Sequence, residues 1–238
     1  MLTKEQENLI REQAVEAYPN EAVWVLTERG LKQVENAHET PESHFRISKR
    51  ETVIAHSEGL LAVIHSHPDR DPVPSEADMA SQVATGVPWG VLSCDSEAAS
   101  GINWWGGERP PLLGRPFMHG ITDCYALIKD YYLQERQVLL PEYPRDWRWW
   151  EAGQDLFVEG FAKAGFRKIT AEEARPGDVW LAKIRSRVVN HGGIVLDSGL
   201  MLHQLGSPSS PIDHSRLSAR EPIGRYIGFI THWLRYEG

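Results

Sequence analysis

His65 and His67 close the apolar run "LLAVIHSH", and Ser75 and Asp78 follow on a proline-rich turn. Alternate residues of a β-strand share a face, so the two imidazoles are expected to point the same way. Imidazole nitrogens and a carboxylate oxygen suit zinc, and a catalytic zinc site takes three protein ligands and leaves one position open. His65, His67 and Asp78 are the candidate ligands, with Asp78 reaching in from the first turn of a helix that starts beside the strand end. Such a site also needs a carboxylate to take a proton. Glu21, at the head of "EAVWVLT", is the candidate, and Ser75 is placed to hydrogen-bond an oxyanion. Taken singly, the histidine pair reads more readily as solvated or structural, and Ser75 and Asp78 as helix caps.

A second set surrounds Cys124 in "GITDCYALIKDYY". The preceding glycine and Thr122 break the chain, so Cys124 is expected in the first turn of a helix. There the positive end of the helix dipole and a neighbouring imidazole lower a thiol's pKa and populate the nucleophilic thiolate. His191 opens the strand "NHGGIVLD", and His203, in "LMLHQL", lies on what should be its hairpin partner. Adjacent antiparallel strands bring the two rings together, with His203 orienting His191 and His191 taking the thiol proton. A lone buried cysteine on a helix is more often inert. His119, His214 and His232 are read as bystanders.

The elements that must position these groups follow from pattern. Thr3 and Gln6 form a capping box for a first helix with Leu9, Ile10, Ala14 and Ala17 on its apolar face, ended by Pro19. "EAVWVLT", "LKQVEN", "ETVIAHS", "LLAVIHSH" and "WGVLS" read as strands, and "EADMASQVAT", capped by Ser75, as a helix. From Cys94 to Gly120 the chain loses all periodicity and fills with glycine and proline. Beyond it, "DCYALIKDYYLQER" carries Tyr125, Ile128 and Tyr132 on a helical stripe, and "DLFVEGFAKAGF" reads as another helix. Four strands follow in "RPGDVWLAKI", "VNHGGIVLD", "LMLHQL" and "GRYIGFITHWLR". "DWRWWEAG" gathers three of the nine tryptophans, as packing or as a partner surface. The expected class is α+β in two domains: 1–97, a mixed sheet flanked by helices; a Gly/Pro-rich linker, 98–114; and 115–238, helices followed by a small antiparallel sheet.

Bulk properties narrow the function. The net charge of −8 argues against direct nucleic-acid binding, which wants a basic footprint. It divides unevenly: residues 1–107 carry 8 basic against 17 acidic side chains, −9, and residues 108–238 carry 17 against 16, +1. No apolar run is long enough for a membrane span, and the start is too polar for a secretory signal peptide. Two cysteines, Cys94 and Cys124, are too few for a disulfide framework, so a reducing compartment is the default.

The conjunction of H-x-H, seven residues, S, two residues, D, with an earlier Glu at a strand start, resembles the JAMM motif of JAB/MPN-domain metallopeptidases. By that resemblance His65, His67 and Asp78 hold zinc, Glu21 is the acid/base and Ser75 supports the tetrahedral intermediate. The motif departs from the family at "EAVWVL", where a small pair such as Cys-Gly often follows the glutamate. "DCYALIKDYY", "RPGDVW" and "HGGIVLDSGLMLH" resemble the NlpC-type papain-like cysteine peptidases. This implies Cys124 as nucleophile, His191 as base, His203 as orienting residue and peptidoglycan stem peptides as substrate. D-C-Y-A replaces the usual D-C-S-G, which sets Tyr125 where it is expected to narrow the site. The two modules in this order resemble the tail tip assembly proteins of lambda-like siphophages. The resemblance implies other tail tip proteins as partners and a place in the virion tail tip or, during assembly, in the host cytoplasm. The competing reading is a structural assembly factor whose two sites are vestigial.

Overall fold

The computed structural model describes residues 2–238. The chain divides into two compact units, the residues up to Pro74 with Ala80–Glu108, and Arg109–Gly238 with the five residues Ser75–Met79. Both mix helices with a sheet, so the α+β, two-domain expectation holds.

The first begins with helix α1 (Lys4–Ala17), whose capping box is formed: Gln6 N donates to Thr3 Oγ1 at 3.2 Å and Thr3 N to Gln6 Oε1 at 2.9 Å. α1 buries Ile10 and Ala14, whereas Leu9 of the expected apolar face is exposed. Strands β1 (Val23–Thr27) and β2 (Gly30–Val34) form a hairpin. The segment "ETVIAHS", expected as a strand, is instead part of helix α2 (Lys49–Ser57). The Ser48 side chain accepts from Glu51 N at 3.2 Å, so S-K-R-E acts as a helix start and outweighs the β-branched run Thr52–Ile54.

Strand β3 (Leu60–Pro68) lies in the middle of the sheet and is buried from Ala62 onward, which is why it reads as one apolar run. Helix α3 (Glu76–Thr85) connects it to the parallel strand β4 (Trp89–Cys94). Part of the expected linker is strand β5 (Asn103–Trp105), which pairs antiparallel with β4 and buries Trp105. Sheet order is β2-β1-β3-β4-β5. One face packs on α1 through Trp24, Leu26, Ile64 and Leu92.

The second unit opens with strand β6 (Pro116–Met118) and helix α4 (Cys124–Arg136), then helix α5 (Leu156–Lys163). Strands β7 (Phe166–Ile169), β8 (Val179–Ala182), β9 (His191–Val195), β10 (Leu200–His203), β11 (Ile212–Leu217), β12 (Ala219–Pro222) and β13 (Ile230–Tyr236) follow. Six of these form an antiparallel sheet in the order β12-β10-β9-β8-β13-β7, while β11 pairs with β6. The stripe Tyr125, Ile128 and Tyr132 of α4 is buried with Leu127 in a core shared with Phe157, Phe161, Leu181, Ile194 and Leu202. α4 therefore lies against β9 with its N-terminus at the strand's start. Both cysteines are buried and free.

Candidate functional site

Around His65 the strand geometry works as expected. Nε2 of His65 and Nε2 of His67 face each other at 3.1 Å, and the ligand atoms of His65, His67 and Asp78 all lie within 4.8 Å of one another. Two nitrogens on one tetrahedral zinc, each about 2.05 Å from it, stand about 3.3 Å apart, so the pair has ligand spacing. Nδ1 of His67 contacts the Asp71 carbonyl at 3.1 Å, which places the proton there and leaves Nε2 with its lone pair. Phe45, Trp89 and Trp105 surround the His65 ring with centroids 4.7–6.2 Å away, an apolar wall that restricts solvent. The donor set, its tautomer and its apolar surroundings fit a zinc ion.

Ser75 caps α3. Its hydroxyl accepts from Asp78 N at 3.2 Å and donates to Asp78 Oδ2 at 2.7 Å, and Ser75 N donates to the same oxygen at 2.9 Å. The hydroxyl expected to face an oxyanion thus holds a candidate ligand in place. The β1–β3 register pairs Val23 with His65, and its continuation, through Ala22 N on Ser66 Oγ at 2.8 Å, sets Glu21 opposite His67. Glu21 is buried and ion-paired with Arg70, a partner the sequence reading did not single out.

Cys124 occupies the first turn of α4. Asp123 is the N-cap, accepting from Ala126 N at 3.0 Å and from Gly120 N at 2.8 Å. Arg145 Nη2 donates to Asp123 Oδ2 at 2.5 Å, and His119 stands 3.8 Å from the same oxygen. Burial pushes the Asp123 carboxyl up, but Arg145 and His119 outweigh it and hold the group well below the usual carboxylate range. His119, read as a bystander, is buried here and lines the site.

His191 and His203 meet as the hairpin reading required: His191 Nε2 and His203 Nδ1 are 3.1 Å apart. The reason is register, since His203 pairs with Gly193 and so lies diagonally across from His191 on the same face. The two glycines after His191 permit the close packing. A Cβ on Gly193 would stand 2.4 Å from the Leu202 carbonyl oxygen, and one on Gly192 would meet Leu181 and Ile128 of α4. His203 Nε2 faces Glu221 Oε2 at 3.6 Å.

Cys124, His191, Asp123, His119 and Arg145 line one cavity of about 460 Å³. Trp147, Trp149 and Trp150 also line it, so the tryptophan cluster is a cavity wall. Tyr125, expected to narrow the site, turns into the core and donates its hydroxyl to the Pro141 carbonyl at 2.6 Å.

The expected lowering of the thiol pKa is not found. Burial, reinforced by Asp123, pushes Cys124 up to about 12 against the opposing pull of Arg145 and the Gly192 and Tyr125 N–H groups. Burial, then His203, holds His191 well below the usual imidazole range. Burial is the largest influence on both groups and opposes the charged form of each, so at Cys124 it outweighs the helix dipole.

Residues 104–230 match the NlpC/P60 family, and residues 3–106 match prokaryotic homologs of the JAB domain. Tail tip assembly protein K of Escherichia phage N15 is 30% identical over 220 residues, 90% of this chain and 86% of that protein. Tail tip assembly protein K of Escherichia phage lambda is 35% identical over 146 residues, 61% of this chain and 70% of that protein. Among solved structures, the NlpC/p60 domain of peptidoglycan hydrolase SagA is similar at 16% identity with a TM-score of 0.36, over 52% of this chain and 89% of that one.

Proposed function

The chain belongs to the tail tip assembly protein K family, a JAB-like domain followed by an NlpC/P60 domain, and from that premise we propose that Cys124 hydrolyses amide bonds in peptidoglycan stem peptides. The observation that carries this is the meeting of Cys124 and His191 on one cavity, with His203 behind His191. His191 removes the thiol proton as sulfur attacks the substrate carbonyl. Burial disfavours each ion separately, but the transfer creates a thiolate and an imidazolium side by side, whose attraction offsets that cost. The tetrahedral adduct collapses to a thioester, and the amine leaves with the proton held by His191. Water, deprotonated by the same imidazole, then cleaves the thioester and restores the thiol.

In the JAB-like domain, His65, His67 and Asp78 would hold a zinc ion, which would supply Lewis acidity toward a carbonyl. Glu21 accepts and returns a proton there, after Arg70 releases its carboxylate, and Ser75 keeps Asp78 aimed. Other tail tip proteins and the bacterial cell wall are the partners, with action in the virion tail or in the infected cell during assembly. No helix among the described residues is long and apolar enough to cross a membrane.

Purified protein is expected to release soluble fragments from bacterial sacculi, and Cys124→Ala to abolish the release. Equal release by the variant sinks the assignment of Cys124 as the nucleophile.

A further inference from the structure

We infer that Glu221 is a positioning residue that sets the tautomers of both histidines and so leaves His191 with a free lone pair for the thiol of Cys124. This rests on the reading of His191 as the base.

Strand register brings the three side chains together. His203 on β10 pairs with Gly193 on β9, and Met201 pairs with Glu221 on β12. His191, His203 and Glu221 are therefore diagonal neighbours on one face of three adjacent strands. The side-chain distances follow this line: His191 Nε2 to His203 Nδ1 at 3.1 Å, and His203 Nε2 to Glu221 Oε2 at 3.6 Å. The histidine side chains are buried and that of Glu221 is mostly so. Arg225 Nη1 also stands 3.1 Å from Oε2, as an ion pair. The Tyr226 ring packs edge-on to His203 at 5.0 Å, and Trp180 lies 5.9 Å away.

A carboxylate ion only accepts. At 3.6 Å it is at ion-pair rather than hydrogen-bond distance, yet its charge still favours a proton on the facing nitrogen, which becomes His203 Nε2. A neutral imidazole carries one N–H, so His203 Nδ1 is then an acceptor. The 3.1 Å approach needs a donor, and only His191 Nε2 can supply it. His191 Nδ1 is left unprotonated, on a side chain that lines the cavity with Cys124. Without Glu221, Arg225 is the charged neighbour left beside His203. A guanidinium favours a lone pair on the facing nitrogen, and the chain of assignments reverses.

The test is long-range ¹H–¹⁵N correlation spectroscopy of the full chain with ¹⁵N-histidine, together with sacculus release. The wild type should show Nε2–H on both His191 and His203. Glu221→Ala should lose that state on both rings and slow release at least about tenfold with KM unchanged, the direction seen when a triad imidazole takes the wrong tautomer. Should that variant fold poorly, Glu221→Gln, which keeps the size and removes the charge, is expected to give the same loss. Unchanged tautomers in a folded Glu221 variant overturn the inference whatever happens to release. Wild-type protein that leaves sacculi intact, yet shows both Nε2–H states and loses them in the variant, supports the relay and overturns only the peptidoglycan reading.

Discussion

His65 and His67 owe their 3.1 Å separation to the two-residue period of β3, and Asp78 owes its position to Ser75, three residues before it in the same helix start. These are short-range relations, which is why the whole candidate ligand set is legible as H-x-H, S and D. Arg145 is the opposite case. It clamps Asp123 from 22 residues away across a loop, is buried, and also donates to the Tyr143 carbonyl at 2.8 Å. Nothing in local spacing marks it, because its partner is fixed by tertiary packing. Local legibility makes the candidate metal site easy to test by substitution. With zinc supplied during expression, the purified protein is expected to carry about one zinc per chain by elemental analysis. His65→Ala/His67→Ala removes two of three ligands and should remove the metal with them. Zinc content unchanged in the double variant would mean that the 3.1 Å pair holds nothing.

The elements show where pattern suffices and where it competes with itself. β3, α3 and α4 carry strong, undivided signals, and each forms where expected. α2 carries two opposed signals, a run of β-branched residues and an S-x-x-E start, and the cap wins because the segment needs to bury only Ala55 fully. β5 sits in Gly- and Pro-rich text and is three residues long, so only the edge of β4 makes it a strand. β9 is the element on which the cysteine site depends. Its H-G-G sequence brings the backbone of β10 against one side, and Gly193 leaves no room for a methyl group, since a Cβ there meets the Leu202 carbonyl oxygen at 2.4 Å and the His203 Cβ at 2.9 Å. Backbone cannot swing aside as a flexible side chain can. Gly193→Ala is therefore expected to spread β9 from β10, drawing the His191 and His203 rings apart, and to destabilise the protein by about 1–3 kcal/mol in urea unfolding. A stability within about 0.5 kcal/mol of wild type would show that the hairpin relaxes freely.

At the scale of the molecule, each unit has its own core, and the second concentrates an unusual amount of titratable chemistry around Cys124. His119, His191 and His203 are all held below the ordinary imidazole range, foremost by burial, with His119 brought down to about 4. For such groups the unfolded chain binds protons more readily than the folded one, so stability falls as the pH drops below about 6.5. For His119 the loss accumulates from there to about pH 4 and amounts to about 3 kcal/mol, at 1.36 kcal/mol per pH unit. Asp123 acts in a lower window. Its folded-state carboxyl is depressed by Arg145 despite burial, so the stability it confers is present above about pH 4 and is lost only as the pH falls further. The histidines therefore begin acid unfolding before Asp123 does. Denaturant midpoints measured between pH 7.5 and pH 4.5 are expected to decline steadily for the wild type. His119→Gln keeps a side chain able to reach the Arg145 carbonyl, which the ring nitrogen contacts at 3.1 Å, but has nothing to protonate, so its decline should be shallower. Parallel slopes for the two proteins would show that His119 protonates without opening the fold.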